Sequence, residues 1–261
     1  MTAIINEHES ELNRVPEVTV DFWLIKVMAV TMGETAADYL AVNLGLGLTT
    51  TSLIMTGVLV AALVLQFAQK RYVPWAYWLA VVLISIVGTL VTDNLVDNFG
   101  VRLETTTIVF SIVLALTFVA WYASEKTLSI HTIFTIRREI FYWLAILFTF
   151  SLGTAAGDLV AERFDMGYLT TGLIFGGVIA AIALAYFFLG LNGILAFWLA
   201  YILTRPLGAS FGDLLSQPVE YGGMGFGTTF TSLAFLGCIV AIVLYMTLKD
   251  IIDEDDHALL D

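Results

Sequence analysis

One pattern is written four times in this chain: Trp, nine residues, Gly, four residues, Asp. The copies are Trp23/Gly33/Asp38, Trp78/Gly88/Asp93, Trp143/Gly153/Asp158 and Trp198/Gly208/Asp213, and successive copies are offset by 55, 65 and 55 residues whichever of the three positions is followed. Self-similarity of this kind marks a repeat architecture, whose units cannot bury their own apolar faces and must stack on one another. Whatever the chain folds into has to seat four equivalent units, each carrying a carboxylate at the same place.

Each copy lies in a strongly apolar stretch. Hydrophobic residues make up 59% of the chain, charged residues 13%, and the mean hydropathy is +0.90, outside the range of soluble domains. A helix needs about 20 apolar residues to cross roughly 30 Å of hydrocarbon, and such runs fall at 20–44, 50–69, 75–97, 106–124, 139–161, 169–190, 193–215 and 229–249. The expected fold is all-α: a polytopic membrane protein of eight transmembrane helices, built as four parallel two-helix repeats in a pseudo-fourfold or two-by-two bundle. The units are a polar N-terminal tail at 1–18, repeats at 19–72, 73–127, 128–190 and 191–250, and an acidic C-terminal tail at 251–261. The wider central offset suggests two nested duplications joined by the connector at 125–137.

Lys and Arg are unevenly divided between the two sets of loops. Arg14, Lys70, Arg71, Lys126, Arg137, Arg138 and Lys249 fall on the side of the termini, against Arg102 and Arg163 on the other. The positive-inside rule then puts both termini in the cytoplasm. The opposite mouth carries Asp97, Glu104, Glu162, Asp165 and Glu220, a sign that concentrates cations. The net charge of −12 disfavours nucleic acid as a partner, and much of it sits in the tails, at Glu7, Glu9 and Glu11 and at Asp253, Glu254, Asp255 and Asp256, which read as solvated ends. Cys238 is the single cysteine, and His8, His131 and His257 lie outside the apolar runs, so neither a thiolate nor a histidine metal cage can be assembled in the bundle, nor a buried Ser–His–Asp arrangement. The start lacks the basic region and apolar core of a secretory signal.

Within the motif, an aromatic precedes each Trp (Phe22, Tyr77, Tyr142, Phe197), which suits an interfacial belt. The Gly is followed four residues later by Ala37, Thr92, Gly157 or Gly212, a small-xxx-small spacing that lets helices approach closely. Each Asp is ~22 Å along its helix from the Trp, where an ionisable group is expensive. It either lines a cavity or caps the next helix, whose Thr-rich start (Thr50, Thr105, Thr170) offers N-caps itself. Four residues beyond the Asp stand Asp97, Glu162 and Gln217, with Val42 in the first copy. Oxygen ligands without sulfur or imidazole suit a hard cation such as Mg²⁺, Ca²⁺ or Mn²⁺. The candidate cation ligands are Glu34, Asp38, Asp93, Asp158 and Asp213, with Asp97, Glu162, Gln217 and Arg205 as further polar positions.

Two residues break the symmetry. Glu34 occurs only in the first copy, four residues before Asp38, and like-charge coupling makes one of the pair a proton-carrier candidate. Arg205, followed by Pro206, occurs only in the fourth, and a lone Arg deep in a span calls for Glu34 or one of the aspartates as counter-ion. Lys26, three residues from Trp23, is expected to snorkel to the surface.

The string Gly33-Glu34-Thr35-Ala36-Ala37-Asp38, its echo Gly153-Thr154-Ala155-Ala156-Gly157-Asp158 and the tandem two-span layout resemble a family of bacterial integral membrane proteins with a fourfold repeat of unknown function, often described as membrane-anchored. The resemblance runs over about residues 15–250, with copies two and four looser and the fourth carrying extra residues at 220–227. It implies a fold and a location, the bacterial cytoplasmic membrane, and no activity. From the residues, and by a motif-level analogy to bacterial manganese and calcium exporters, the expected function is export or transport of a hard divalent cation, manganese first, coupled to protons, with no resident cofactor. The lipid bilayer, the cation and protons are the partners, and self-association stays open. A membrane scaffold and an intramembrane aspartyl protease, the latter from Gly157-Asp158 and Gly212-Asp213, are the alternatives.

Overall fold

The computed structural model describes residues 13–258, the side chains through 249. Glu7, Glu9, Glu11 and His8, and the side chains of Asp253, Glu254, Asp255, Asp256 and His257, read above from sequence, lie outside the described residues. Among the described residues eight long helices follow one another: α1 (Val20–Asp38), α2 (Leu48–Phe67), α3 (Pro74–Asp93), α4 (Leu103–Glu125), α5 (Ile136–Asp158), α6 (Tyr168–Leu189), α7 (Gly193–Ser216) and α8 (Thr228–Ala258). Seven are long and apolar enough to cross a membrane; α1, which holds an equivalent place, carries Asp21, Lys26, Glu34 and Asp38. The chain is an all-α polytopic membrane bundle.

The first helices of the four repeats form a closed ring, α1 on α3, α3 on α5, α5 on α7 and α7 back on α1. Glycine makes the ring close. A Cβ on Gly33 would strike Ser85, on Gly88 would lie 2.8 Å from Phe150 Cβ, on Gly153 would strike Arg205, and on Gly208 would lie 2.6 Å from Val30 Cγ1. The partner is in every case the residue three before the next copy's glycine, so one contact, repeated four times, sets spacing and register around the ring. The second helix of each repeat packs outside, on the inner helix of the following repeat: α2 on α3, α4 on α5, α6 on α7, and α8 closing onto α1. The outer helices turn most of their apolar surface outward, α6 burying only 6% of its span, as a lipid-facing layer requires.

Local chemistry accounts for several ends. Thr19 and Thr135 accept hydrogen bonds from the amides of Phe22 and Arg138, Asn192 accepts from Ile194 and Leu195, and Pro74 opens α3 where no amide is needed. The Thr-rich starts do not cap, contrary to expectation. Thr51, Thr106, Thr171 and Thr231 instead donate their hydroxyls back to the carbonyls four residues earlier, at Gly47, Arg102, Gly167 and Gly227. At the ends of α1, α3 and α5 the helix widens into a π turn, Tyr39–Asn43, Asn94–Asn98 and Leu159–Arg163. In the fourth copy the inserted residues fold back instead, the amides of Met224, Gly225, Phe226 and Gly227 bonding to the carbonyls of Leu214, Gln217, Leu215 and Ser216.

The end of the bundle that carries the termini is sealed. Asn13 accepts from the Ile133 amide and donates to the carbonyls of Val15 and Ile130, and its own carbonyl accepts from Tyr72. Residues 13–15 are thus folded against the connector, not a solvated end. Arg14 reaches the fully buried Glu139 at 2.7 Å, and Gln66 and Trp143 donate to the same carboxylate.

Candidate functional site

The inner helices run in register, so residues four apart on each helix meet in tiers along the ring's axis. From the end of the termini these are Phe22, Tyr77, Tyr142 and Phe197; then Lys26, Val81, Ile146 and Tyr201; then Val30, Ser85, Phe150 and Arg205; then Glu34, Thr89, Thr154 and Ala209; then the four motif aspartates. All sixteen residues of the first four tiers are buried. The aspartates come next, Asp213 buried and Asp38, Asp93 and Asp158 half-buried, and beyond them Asp97 and Glu162 are exposed. The axis is filled by buried side chains at one end and opens, through carboxylates, at the other.

The aspartates lie within electrostatic reach of one another and of Glu34, without being packed together. Each lies in the electrostatic field of Glu34, and Asp93 also feels Asp38, Asp158 feels Asp93, and Asp213 feels both Asp38 and Asp158. Asp97 and Glu162 act on Asp38 from the mouth, and Gln217 Nε2 donates to Asp38 Oδ2 at 3.4 Å, joining the last repeat to the first. Asp38, Asp93 and Asp158 each sit immediately before a π turn, where a helix is locally widened, a feature found often at functional sites. Asn43 is turned away to accept from Thr228 at the start of α8. Glu104 is engaged by Arg102 and Arg163, at 3.2 and 3.1 Å, so the acidity of the mouth rests on Asp97, Glu162, Asp165 and Glu220. A cleft of about 510 Å³ opens there, lined by Glu162, Asp165, Tyr168, Gln217 and Tyr221 among others.

One tier below the aspartates the ring is tied shut. Arg205 Nη2 lies 2.8 Å from Glu34 Oε2, 2.8 Å from Thr154 Oγ1 and against Thr89 Oγ1, its two N–H groups shared among the three oxygens, and Thr89 donates to Glu34 Oε2 at 3.2 Å. The symmetry-breaking residues of the first and fourth copies are therefore each other's partners, with the threonines of the second and third between them. Arg205 Nε and Nη1 are buried and have no hydrogen-bond partner among the described residues.

Lys26 does not snorkel. It is fully buried, and its Nζ lies 4.2 Å from the ring centres of both Phe150 and Tyr201, which are themselves parallel within 7° and 6.2 Å apart. The interior is as apolar as lipid, so the butyl stem packs equally well inward, and two ring faces receive the ammonium. The motif tryptophans also depart from expectation: Trp78, Trp143 and Trp198 are buried between helices, their indole N–H groups bonded to Tyr72, Glu139 and Leu128, and of the four only Trp23 is partly exposed. Below them Tyr77 and Tyr142 share a hydrogen bond of 2.5 Å.

Among the described residues, no three of His, Cys, Asp or Glu are grouped closely enough to hold a metal ion. Glu34, a candidate ligand, is committed to Arg205. The sequence reading missed Glu139 and Gln66, although a glutamate where the other copies place Thr19, Pro74 and Ile194 was a visible irregularity.

Compared with known proteins, four segments of the chain, 22–72, 76–127, 141–191 and 196–251, match a family described as a Repeat of Unknown Function (DUF347). No curated protein and no solved structure matches.

Proposed function

As a chain that belongs to the DUF347 repeat family, this protein carries its function in the tiers just described, and we propose that it transports a hard divalent cation across the membrane, with Mn²⁺ the first candidate and protons as the coupling ion. The observation that carries this reading is the recurrence of Asp38, Asp93, Asp158 and Asp213 at one level of a single axis, beneath an acidic mouth. Four carboxylates at one level in largely apolar surroundings repel one another, and a cation or protons relieve that repulsion. A ring with no preformed dry cage suits a cation that keeps part of its water and is held through it, as Mg²⁺ and Mn²⁺ sites often do. Oxygen-only ligands select against copper and zinc. With the termini placed in the cytoplasm by their Lys and Arg, the acidic mouth faces outward in a bacterial inner membrane.

The test is flux in proteoliposomes. Mn²⁺ movement should depend on an imposed proton gradient and fall at least about tenfold in Asp38→Asn and Asp158→Asn, both folded by circular dichroism. Wild-type vesicles that pass no Mn²⁺, Mg²⁺ or Ca²⁺ under either gradient would replace this reading with that of a scaffold whose aspartates hold helices together.

A further inference from the structure

The tier beneath the aspartates holds the one carboxylate that a descending cation would meet next, and the chain has filled that place with a cation of its own. We infer that Arg205 is a tethered competitor for Glu34, an internal gate that the transported cation must displace to pass from the aspartate ring into the axis. The inference rests on the cation-transport reading above.

Three observations converge on it. The clasp spans the whole ring: one guanidinium nitrogen on α7 bonds to Glu34 on α1, Thr89 on α3 and Thr154 on α5. No other tier is closed by polar bonds to all four inner helices. The clasp is also incomplete. Arg205 Nε and Nη1, though buried, have no partner among the described residues, whereas the firmest grip of a guanidinium on a carboxylate is a bidentate pair. Held through a single nitrogen, Glu34 has fewer bonds to give up than in a two-bond fork. Finally, the clasp stands at the boundary in polarity. Above it are the aspartates and the open mouth; below it are Lys26 between two aromatic rings, the apolar side chains Val81 and Ile146, and the tyrosine pair. Lys26 stands behind the clasp on the same aromatic ring, since Arg205 Cζ and Lys26 Nζ both lie over Phe150, at 5.8 and 4.2 Å.

The chemistry of displacement is exchange of one cation for another on the same oxygen. A divalent ion entering among the aspartates repels the guanidinium and offers Glu34 a stronger partner. When Arg205 swings away, Glu34 becomes the ligand that carries the ion past the ring, and Thr89 and Thr154, freed from the guanidinium, turn their hydroxyl oxygens toward it. A purely structural ion pair predicts none of this.

The experiment is a binding cycle on the full chain in detergent, with Mn²⁺ titrated calorimetrically into the wild type, Arg205→Met, Glu34→Gln and the double variant. If Arg205 competes for Glu34, Arg205→Met raises Mn²⁺ affinity about tenfold or more, and the gain vanishes in the Glu34→Gln background. Should Arg205→Met fail to fold because Glu34 is left unpaired, Arg205→Lys, which keeps the charge and loses the fork, gives a smaller gain in the same direction. Mn²⁺ binding that is equal in the wild type and in the folded Arg205 variants overturns the gate while leaving the transport reading in place. Absence of Mn²⁺, Mg²⁺ and Ca²⁺ binding in every variant overturns both.

Discussion

Arg205 and Lys26 are both fully buried basic side chains, yet their surroundings predict opposite responses to replacement. Arg205 neutralises Glu34, so Arg205→Leu leaves a carboxylate stranded in an apolar ring and should cost about 3–5 kcal/mol. Lys26 has no carboxylate within bonding distance among the described residues, and its stem fills a slot between Phe150 and Tyr201. Lys26→Met keeps that volume and removes an unpaired charge, so it should change stability by less than about 1 kcal/mol or raise it. Thermal unfolding of both variants in one detergent checks the pair; a Lys26→Met variant as unstable as Arg205→Leu would mean that the ammonium's contact with the rings is essential. Sequence alone identified Arg205 as exceptional and narrowed its partner to Glu34 or one of the four aspartates, because a rare charge in a span has few candidates to pair with; the structure selects Glu34. Sequence misplaced Lys26, since a flexible stem three residues from an apparent interface can turn either way and only its neighbours decide.

At the scale of the helix, the repeated glycine is the working part. Gly88 receives the Cβ of Phe150 so closely that any side chain forces α3 and α5 apart, and the displacement propagates because every other joint of the ring has the same form. Gly88→Val should therefore destabilise by about 1–3 kcal/mol or more. Gly57 and Gly177, on outer helices with nothing within 4 Å of an added Cβ, should accept alanine with no loss and some gain from helix propensity. Chemical unfolding separates the two groups, and equal effects would refute glycine-set spacing. The small-xxx-small pattern made this role legible before any coordinates. The π turns after Asp38, Asp93 and Asp158 were not legible, because a one-residue widening changes neither hydropathy nor period enough to leave a mark in sequence. The fate of the threonines was equally hidden: a hydroxyl near a helix start serves as cap or as back-bond according to a backbone position of one residue.

Across the whole molecule, closure depends on the last helix returning to the first. Ser232 on α8 donates to Thr35 on α1 at 2.8 Å, across 197 residues of chain. In a Cys238→Ser background, Thr35→Cys with Ser232→Cys should oxidise to an intramolecular disulfide in membranes, seen as a mobility shift on gels without dimer. Dimer bands alone would mean that α8 packs on a second copy. Sequence by itself determined the membrane class, eight helices in four units, the common level of the four aspartates and the identity of the residues that break the symmetry. Those follow from hydropathy and period, which are properties read along one dimension. Tertiary structure decided which helix each outer helix covers, where Lys26 points, and that the tryptophans pack inward. In lipid both sides of a helix are apolar, so hydropathy does not distinguish the face turned to the axis from the face turned to the bilayer, and only close packing of backbones at the glycines selects between them.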